Sequence, residues 1–375
     1  MINLRLSKSI IGIKEIKALE DLLINDGYLG MGVEVGKFEA EIAEYLGINP
    51  YNVTCVNTGT SALQLALFGI IQAGDEVLVP SLTFLSSYQA ISAAGGVPIS
   101  CEVYEDSLTI DLQDAKNKLT SRTKVIMPVH FASNPAYLEE TYAFAKLNQL
   151  RIVEDAAHAF GCSVDSKKIG SFGDIICFSF DGIKNITSGE GGAIISFNNN
   201  ETTFYKDARL LSIEKDSEKR YAGLRSWDFD VKQQGYRFHM SNMFAAIGRV
   251  QLGRLDNEFG LKRKKIYEVY FKILSKNKNI LLQKIEKKCD IIPHIFIIRV
   301  LNGERDSLRD FLENQKIPTG IHYKPNHLLT FFGGGKLHLK TTEKIYQEIL
   351  TLPLHPDLAI KDVENISNII NSYLK

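Results

Sequence analysis

The sequence predicts an α/β protein, a mainly parallel central sheet sandwiched by helices, followed by a smaller α+β unit. Three observations carry this reading. From residue 53 onward, short apolar strands alternate with helical stretches. Those strands are near-continuously apolar, as strands covered on both faces must be. Beyond Glu258 the composition turns Lys- and Ile-rich. We therefore expect a large unit over residues 1–250 and a small one over 251–375. The 375 residues suffice for at least two cores.

Residues 13–24 carry helical spacing in Ile13, Ile16, Leu19, Leu22 and Leu23, and Gly27 and Gly30 stop it. Residues 35–46 repeat that pattern and end at Gly47. A strand at 53–56, a helix at 61–71, a strand at 76–80 and a helix at 86–94 follow, the last closed by Gly95-Gly96. Strands are expected at 98–101, 124–129 and 151–154, with helices at 112–119 and 138–147 between them. Residues 174–180 and 192–197 read as two antiparallel-capable strands around a turn. The stretch 199–235 is polar and helical in part, and 241–254 is strongly periodic. After it come a helix near 261–276, a strand near 294–300 and helices near 306–315 and 361–374.

Composition narrows the function. Hydrophobic residues make up 45% and charged residues 23%, an ordinary globular balance. Lys+Arg and Asp+Glu tie at 44 each, so no excess field draws nucleic acid or an anionic membrane. The basic run Lys262-Arg263-Lys264-Lys265 opens an amphipathic helix and reads as its solvated face. Apolar runs such as 125–129 fall far short of the ~20 residues of a membrane span, and the N-terminus lacks the apolar core of a signal peptide. Cys55, Cys101, Cys162, Cys177 and Cys289 are odd in number and widely spread, so neither a disulfide framework nor a metal site is expected. A reducing cytoplasm suits them.

Three tracts carry chemistry. Asn57-Thr58-Gly59-Thr60-Ser61 lies between a strand and its helix, where unpaired amides and the helix dipole can meet a phosphate. Val153-Glu154-Asp155-Ala156-Ala157-His158 puts an acid at the carboxyl end of a buried strand, the edge where α/β sheets bind ligands. His158 has no second ligand at metal spacing. Phe178-Ser179-Phe180-Asp181-Gly182-Ile183-Lys184 follows an apolar strand, with further glycines at 189, 191 and 192. A lysine enclosed there is partly desolvated, its pKa lowered, as bond formation with a carbonyl requires. Phosphate cradle, buried acid and enclosed lysine are the three contacts that pyridoxal 5′-phosphate (PLP) needs.

Order and spacing of these tracts resemble the DegT/DnrJ/EryC1/StrS family of sugar aminotransferases, which share PLP-dependent transferase fold type I. The resemblance extends to residues 74–84, to Pro128-Val129-His130-Phe131, to Gly235-Tyr236-Arg237-Phe238-His239-Met240 and to Ile321-His322-Tyr323-Lys324-Pro325. It implies that Lys184 joins the cofactor and shuttles the proton, and that Asp155 partners the pyridine nitrogen. Phe84 would stack on the ring, and His158 would stand beside the ring oxygen, where many relatives have Gln. Gly59, Thr60, Ser61 and the hydroxyl of Ser179 would bind the phosphate. The resemblance also implies a homodimer with shared active sites, in which the tract around Arg237 reaches the partner's phosphate. Arg237 stands where the family has Asn, and His239 where it has Arg.

Asp181 and Ser133-Asn134-Pro135 would border the sugar. His322 and Tyr323, with the Gly333-Gly334-Gly335 turn, would come near the substrate nucleotide, and Lys324 with His322 and His327 would suit a pyrophosphate. The implied reaction moves the amino group of glutamate to a nucleotide-linked keto-sugar carried by dTDP, UDP or GDP. The 321–327 loop looks more like that of 4-aminating members, so a 4-keto-6-deoxyhexose is expected. The product would feed surface polysaccharide, O-antigen lipopolysaccharide or antibiotic synthesis. Alternatives are a 3-keto substrate, a dehydratase on the same framework, against which Lys184 speaks, and a non-catalytic PLP-binding regulator.

Overall fold

The computed structural model describes residues 4–224 and 228–375. Its centre is a seven-stranded sheet in the order Val53–Val56, Gly192–Ser196, Ile175–Ser179, Arg151–Asp155, Thr123–Ile126, Glu76–Pro80, Val97–Cys101. The last five of these are mutually parallel. Gly192–Ser196 runs antiparallel to both neighbours and closes a hairpin with Ile175–Ser179. Pairing of the first strand with this late one was not visible in the sequence, because register between distant segments leaves no local mark.

Continuous apolarity in the strands reflects two packed faces. Ile176, Phe178, Ala193 and Ile195 enter one apolar cluster with Phe38 and Ile42 of helix Val33–Leu46. Their alternates Ile175, Cys177 and Ile194 enter another with Leu63 and Leu67 of helix Gly59–Phe68. Successive side chains point to opposite faces, so both must be apolar. The strand expected over 124–129 ends at Ile126. Pro128 has no amide to continue the ladder, and only Val129 makes a further bridge, to Asp155.

A second, antiparallel sheet holds Ile280–Leu282, Phe296–Val300 and Ile349–Leu352. It packs a separate apolar cluster under helices Gly260–Leu274, Arg305–Asn314 and Ile360–Tyr373. The strands 280–282 and 349–352 were not expected from the sequence, nor was helix Lys340–Glu348. The basic run proves divided: Lys262 and Lys265 are exposed, but Arg263 is buried in line with Ile266, Tyr270 and Leu274. No helix among the described residues is long and apolar enough to cross a membrane.

Candidate active site

The carboxyl ends of the parallel strands converge on a cavity of about 460 Å³. Thr58 caps helix Gly59–Phe68, its Oγ1 accepting the Ser61 N–H at 3.0 Å and lying 2.8 Å from Ser61 Oγ. The amides of Gly59 and Thr60 in that first turn have no acceptor inside the helix and, with the dipole, make an anion seat. Gly59 is required there: a Cβ would stand 2.6 Å from Cβ of Ser179. Thr60 Oγ1 meets Ser86 Oγ at 2.7 Å, joining this helix start to the next.

Asp155 ends its strand buried. Oδ2 accepts the Ser87 hydroxyl at 2.7 Å and Oδ1 accepts the Ala157 N–H at 3.2 Å. Thr83 supports Ser87 at 2.9 Å. The carboxylate is thus oriented by neutral donors rather than by a cation.

Lys184 sits on the loop between the hairpin strands. Phe180 N–H donates to the Gly191 carbonyl at 2.8 Å and closes that loop at its base. The lysine is half-buried, its amine turned to the cavity. Desolvation pushes the amine down to about 8, against the opposing pull of Asp155 and Asp181.

An imidazole and phenol wall completes the cavity. His158 Nδ1 accepts the Ala132 N–H at 3.3 Å, aimed by left-handed backbone at Ala132 (φ 52°). Its ring packs 4.4 Å from that of His294, and its Nε2 lies 3.3 Å from the Tyr323 hydroxyl. Burial holds both imidazoles well below their usual range, and His322 is lowered to about 4 for the same reason. Phe84 stands at the mouth, its ring 5.3 Å from that of Tyr323. The 321–327 loop is latched to the main sheet, since the Asn326 N–H donates to the Ser81 carbonyl at 2.9 Å and Ser81 Oγ meets His327 Nδ1 at 2.7 Å.

The cavity brings together Gly59, Thr60, Phe84, Asp155, His158, Ser179, Asp181, Lys184, His322 and Tyr323. Ser61 lies behind its rim as the partner of Thr58. Arg237 and Lys324 are exposed and line no part of it. Ser133 and Asn134 are fully buried behind the wall, not bordering the cavity, and His327 is held inward by Ser81. Thr83, Ser86, Phe131 and Glu190 also line the cavity. Thr83 and Phe131 fall inside tracts that carry the family resemblance, whereas only nearness to Phe84 and to the glycine turn could have signalled Ser86 and Glu190. Asp155, Asp181 and Glu190 set three carboxylates against the single ammonium of Lys184, and burial with Asp181 raises Glu190.

A planar, phosphorylated pyridine aldehyde fits these residues: an anion seat at Gly59, a carboxylate at depth, an amine of lowered pKa and an aromatic ring at the mouth. The DegT/DnrJ/EryC1/StrS aminotransferase family model matches residues 9–371. GDP-perosamine synthase of Vibrio cholerae is 33% identical over 368 residues, covering 96% of each chain. The dTDP-4-dehydro-2,3,6-trideoxy-D-glucose 4-aminotransferase of Saccharopolyspora spinosa is 30% identical over 98% of this chain and 95% of its own. Spr1654 of Streptococcus pneumoniae, solved in a PLP form, superposes with a TM-score of 0.90 at 25% identity over 99% of this chain and 98% of that one. Fold, cavity and near full-length similarity converge, and this chain belongs to the DegT/DnrJ/EryC1/StrS aminotransferase family.

Proposed function

We propose that the protein uses PLP, held in this cavity, to move the amino group of glutamate to the ketone of a nucleotide-linked 4-keto-6-deoxyhexose. The observation that carries the reading is Lys184, a lysine of lowered pKa that shares one cavity with Asp155 and the capped helix start at Gly59. When bound, PLP supplies an electron sink that makes the α-proton of an amino acid labile. The amine of Lys184, titrating near 8, takes and returns that proton near neutral pH. Asp155 holds a proton at the ring nitrogen, Phe84 covers the ring, and Ser179 with the amides of Gly59 and Thr60 grips the phosphate. His158 and Tyr323 order the other edge.

The charge balance supports a homodimer with shared sites. Three carboxylates and one ammonium cannot by themselves hold a phosphate, a dicarboxylic donor and a pyrophosphate. Arg237 is exposed and has no ion-pair partner among the described residues. Reaching a second copy's cavity, it supplies the missing cation. Lys324 and His322 serve the pyrophosphate, and Asp181 the sugar. The large unit, 1–250, carries the cofactor residues; the small unit, 251–375, brings the loop that bears Tyr323. A cytoplasmic enzyme feeding polysaccharide or O-antigen synthesis agrees with five free cysteines, four of them buried.

Amination at C4 is supported by the S. spinosa relative, a 4-aminotransferase by name. Turnover with glutamate of a 4-keto-6-deoxy nucleotide sugar, and not of its 3-keto isomer, is the expected result. Turnover of the 3-keto compound alone overturns the position, and binding of PLP with no transfer to any keto-sugar would favour the regulator.

A further inference from the structure

We propose that Arg263 is a positioning residue for the reaction, a buried guanidinium that ties the backbone at Lys184 to the loop bearing His294. The proposal rests on the aminotransferase reading above. Arg263 is 2% exposed. One terminal nitrogen donates to the carbonyls of Pro293 at 3.3 Å and His294 at 3.0 Å. The other donates to those of Ile183 at 3.4 Å and Lys184 at 3.3 Å. No carboxylate pairs with it among the described residues, and its Nε has no acceptor.

Its neighbours on the helix behave differently. Lys262, Lys264 and Lys265 all meet acids, at Glu258, Asp290 and Glu268. Burying a guanidinium without an anion is unfavourable, and an apolar side chain of similar volume generally serves packing as well or better. Ile266 and Leu274, farther along the same buried face, are of that kind. What an apolar residue could not do is grip four carbonyls on two segments far apart in the chain. A planar fork of donors suits that task.

Both segments lead to the reacting region. From Lys184 the side chain enters the cavity directly. From His294 the N–H donates to Ser133 Oγ at 2.9 Å, and the Ser133 hydroxyl donates to the His158 carbonyl at 2.5 Å. The His294 ring also packs against the His158 ring, whose Nε2 faces Tyr323. Arg263 therefore fixes the lysine and the imidazole wall relative to each other. Loss of that grip frees Lys184 to reach water, and its amine then titrates closer to an ordinary lysine.

The test uses Arg263→Lys, which keeps the charge but cannot span both segments. In cofactor-free protein, the pH dependence of Lys184 modification by an amine-reactive reagent is read by peptide mass spectrometry. With PLP restored, steady-state kinetics follow. The expected result is a modification midpoint about one pH unit higher, with kcat down about 10-fold and KM for glutamate within about 2-fold. A lowered melting temperature with unchanged midpoint and kcat overturns the proposal, since packing alone would give that. Should this variant not fold, Arg263→Gln, neutral and still a donor, carries the same measurements. A wild-type protein without transaminase activity overturns the function reading instead, a distinct outcome.

Discussion

Tyr323 and His158 face each other across the cavity wall with Oη 3.3 Å from Nε2. Because Nδ1 of His158 accepts the Ala132 N–H, the proton of the neutral ring sits on Nε2. Tyr323 is then the acceptor in this pair, and its own hydroxyl is left to donate into the cavity. The imidazole acts as a fixed donor that aims the phenol.

Tyr323→Phe should lower kcat about 10-fold while leaving the melting temperature within a few degrees, since one part-buried hydrogen bond contributes about 1 kcal/mol. His158→Gln should retain more activity than His158→Leu, because an amide can accept from Ala132 and donate to Tyr323 at once. Equal losses in the two His158 variants would contradict the tautomer argument.

Lys184 makes stability pH-dependent in the cofactor-free protein. Its amine titrates near 8 when folded and near 10.5 when unfolded, so the unfolded chain binds more protons between those values. Stability therefore rises as the pH climbs through that window, and below it the buried charge is a fixed cost. Lys184→Met should be more stable than the parent by about 2 kcal/mol at pH 7, allowing for partial solvation. The difference should shrink by pH 10. Denaturant melts at the two pH values measure it, and the same variant should lose the visible absorbance of the holoenzyme.

Asp155→Asn should fold normally yet lose most of its turnover, because a neutral amide cannot keep a proton on the ring nitrogen. Ser87→Ala removes only a hydroxyl from Oδ2, and a loss of about 5- to 20-fold is expected. Activity in Asp155→Asn close to wild type would reduce Asp155 to a capping residue.

Subunit mixing examines the shared site. Lys184→Ala and Arg237→Ala should each be nearly inactive alone. Mixed dimers should regain activity, up to about one quarter of wild type for random pairing, because one of the two sites then draws both residues intact. Absence of recovery would mean that Arg237 serves its own chain.

Much of the fold was legible because parallel strands buried on both faces write themselves as apolar runs, as Ile175 to Phe178 and Val77 to Val79 do. Site residues next to such strands were legible for the same reason: Asp155 and Lys184 follow directly from strand ends. Arg263 was hidden within a run of lysines, where composition says solvent and only the helical phase with Ile266 and Tyr270 says core. Register across the chain was also hidden. Nothing local in Gly192–Ser196 announces that it inserts between the first strand and Ile175–Ser179.

That insertion makes the lysine-bearing loop a self-contained cassette. Both of its ends lie in adjacent strands, and Phe180 and Gly191 pair across its neck. The entropy of closing a loop is met by the sheet on either side, so the residues between can vary without loosening the frame. Gly182 and Ile183 can then be exchanged for other side chains while the backbone still delivers Lys184 to one place. A scaffold of this design can change part of its cavity lining in one short span while the frame that holds the lysine stays in place.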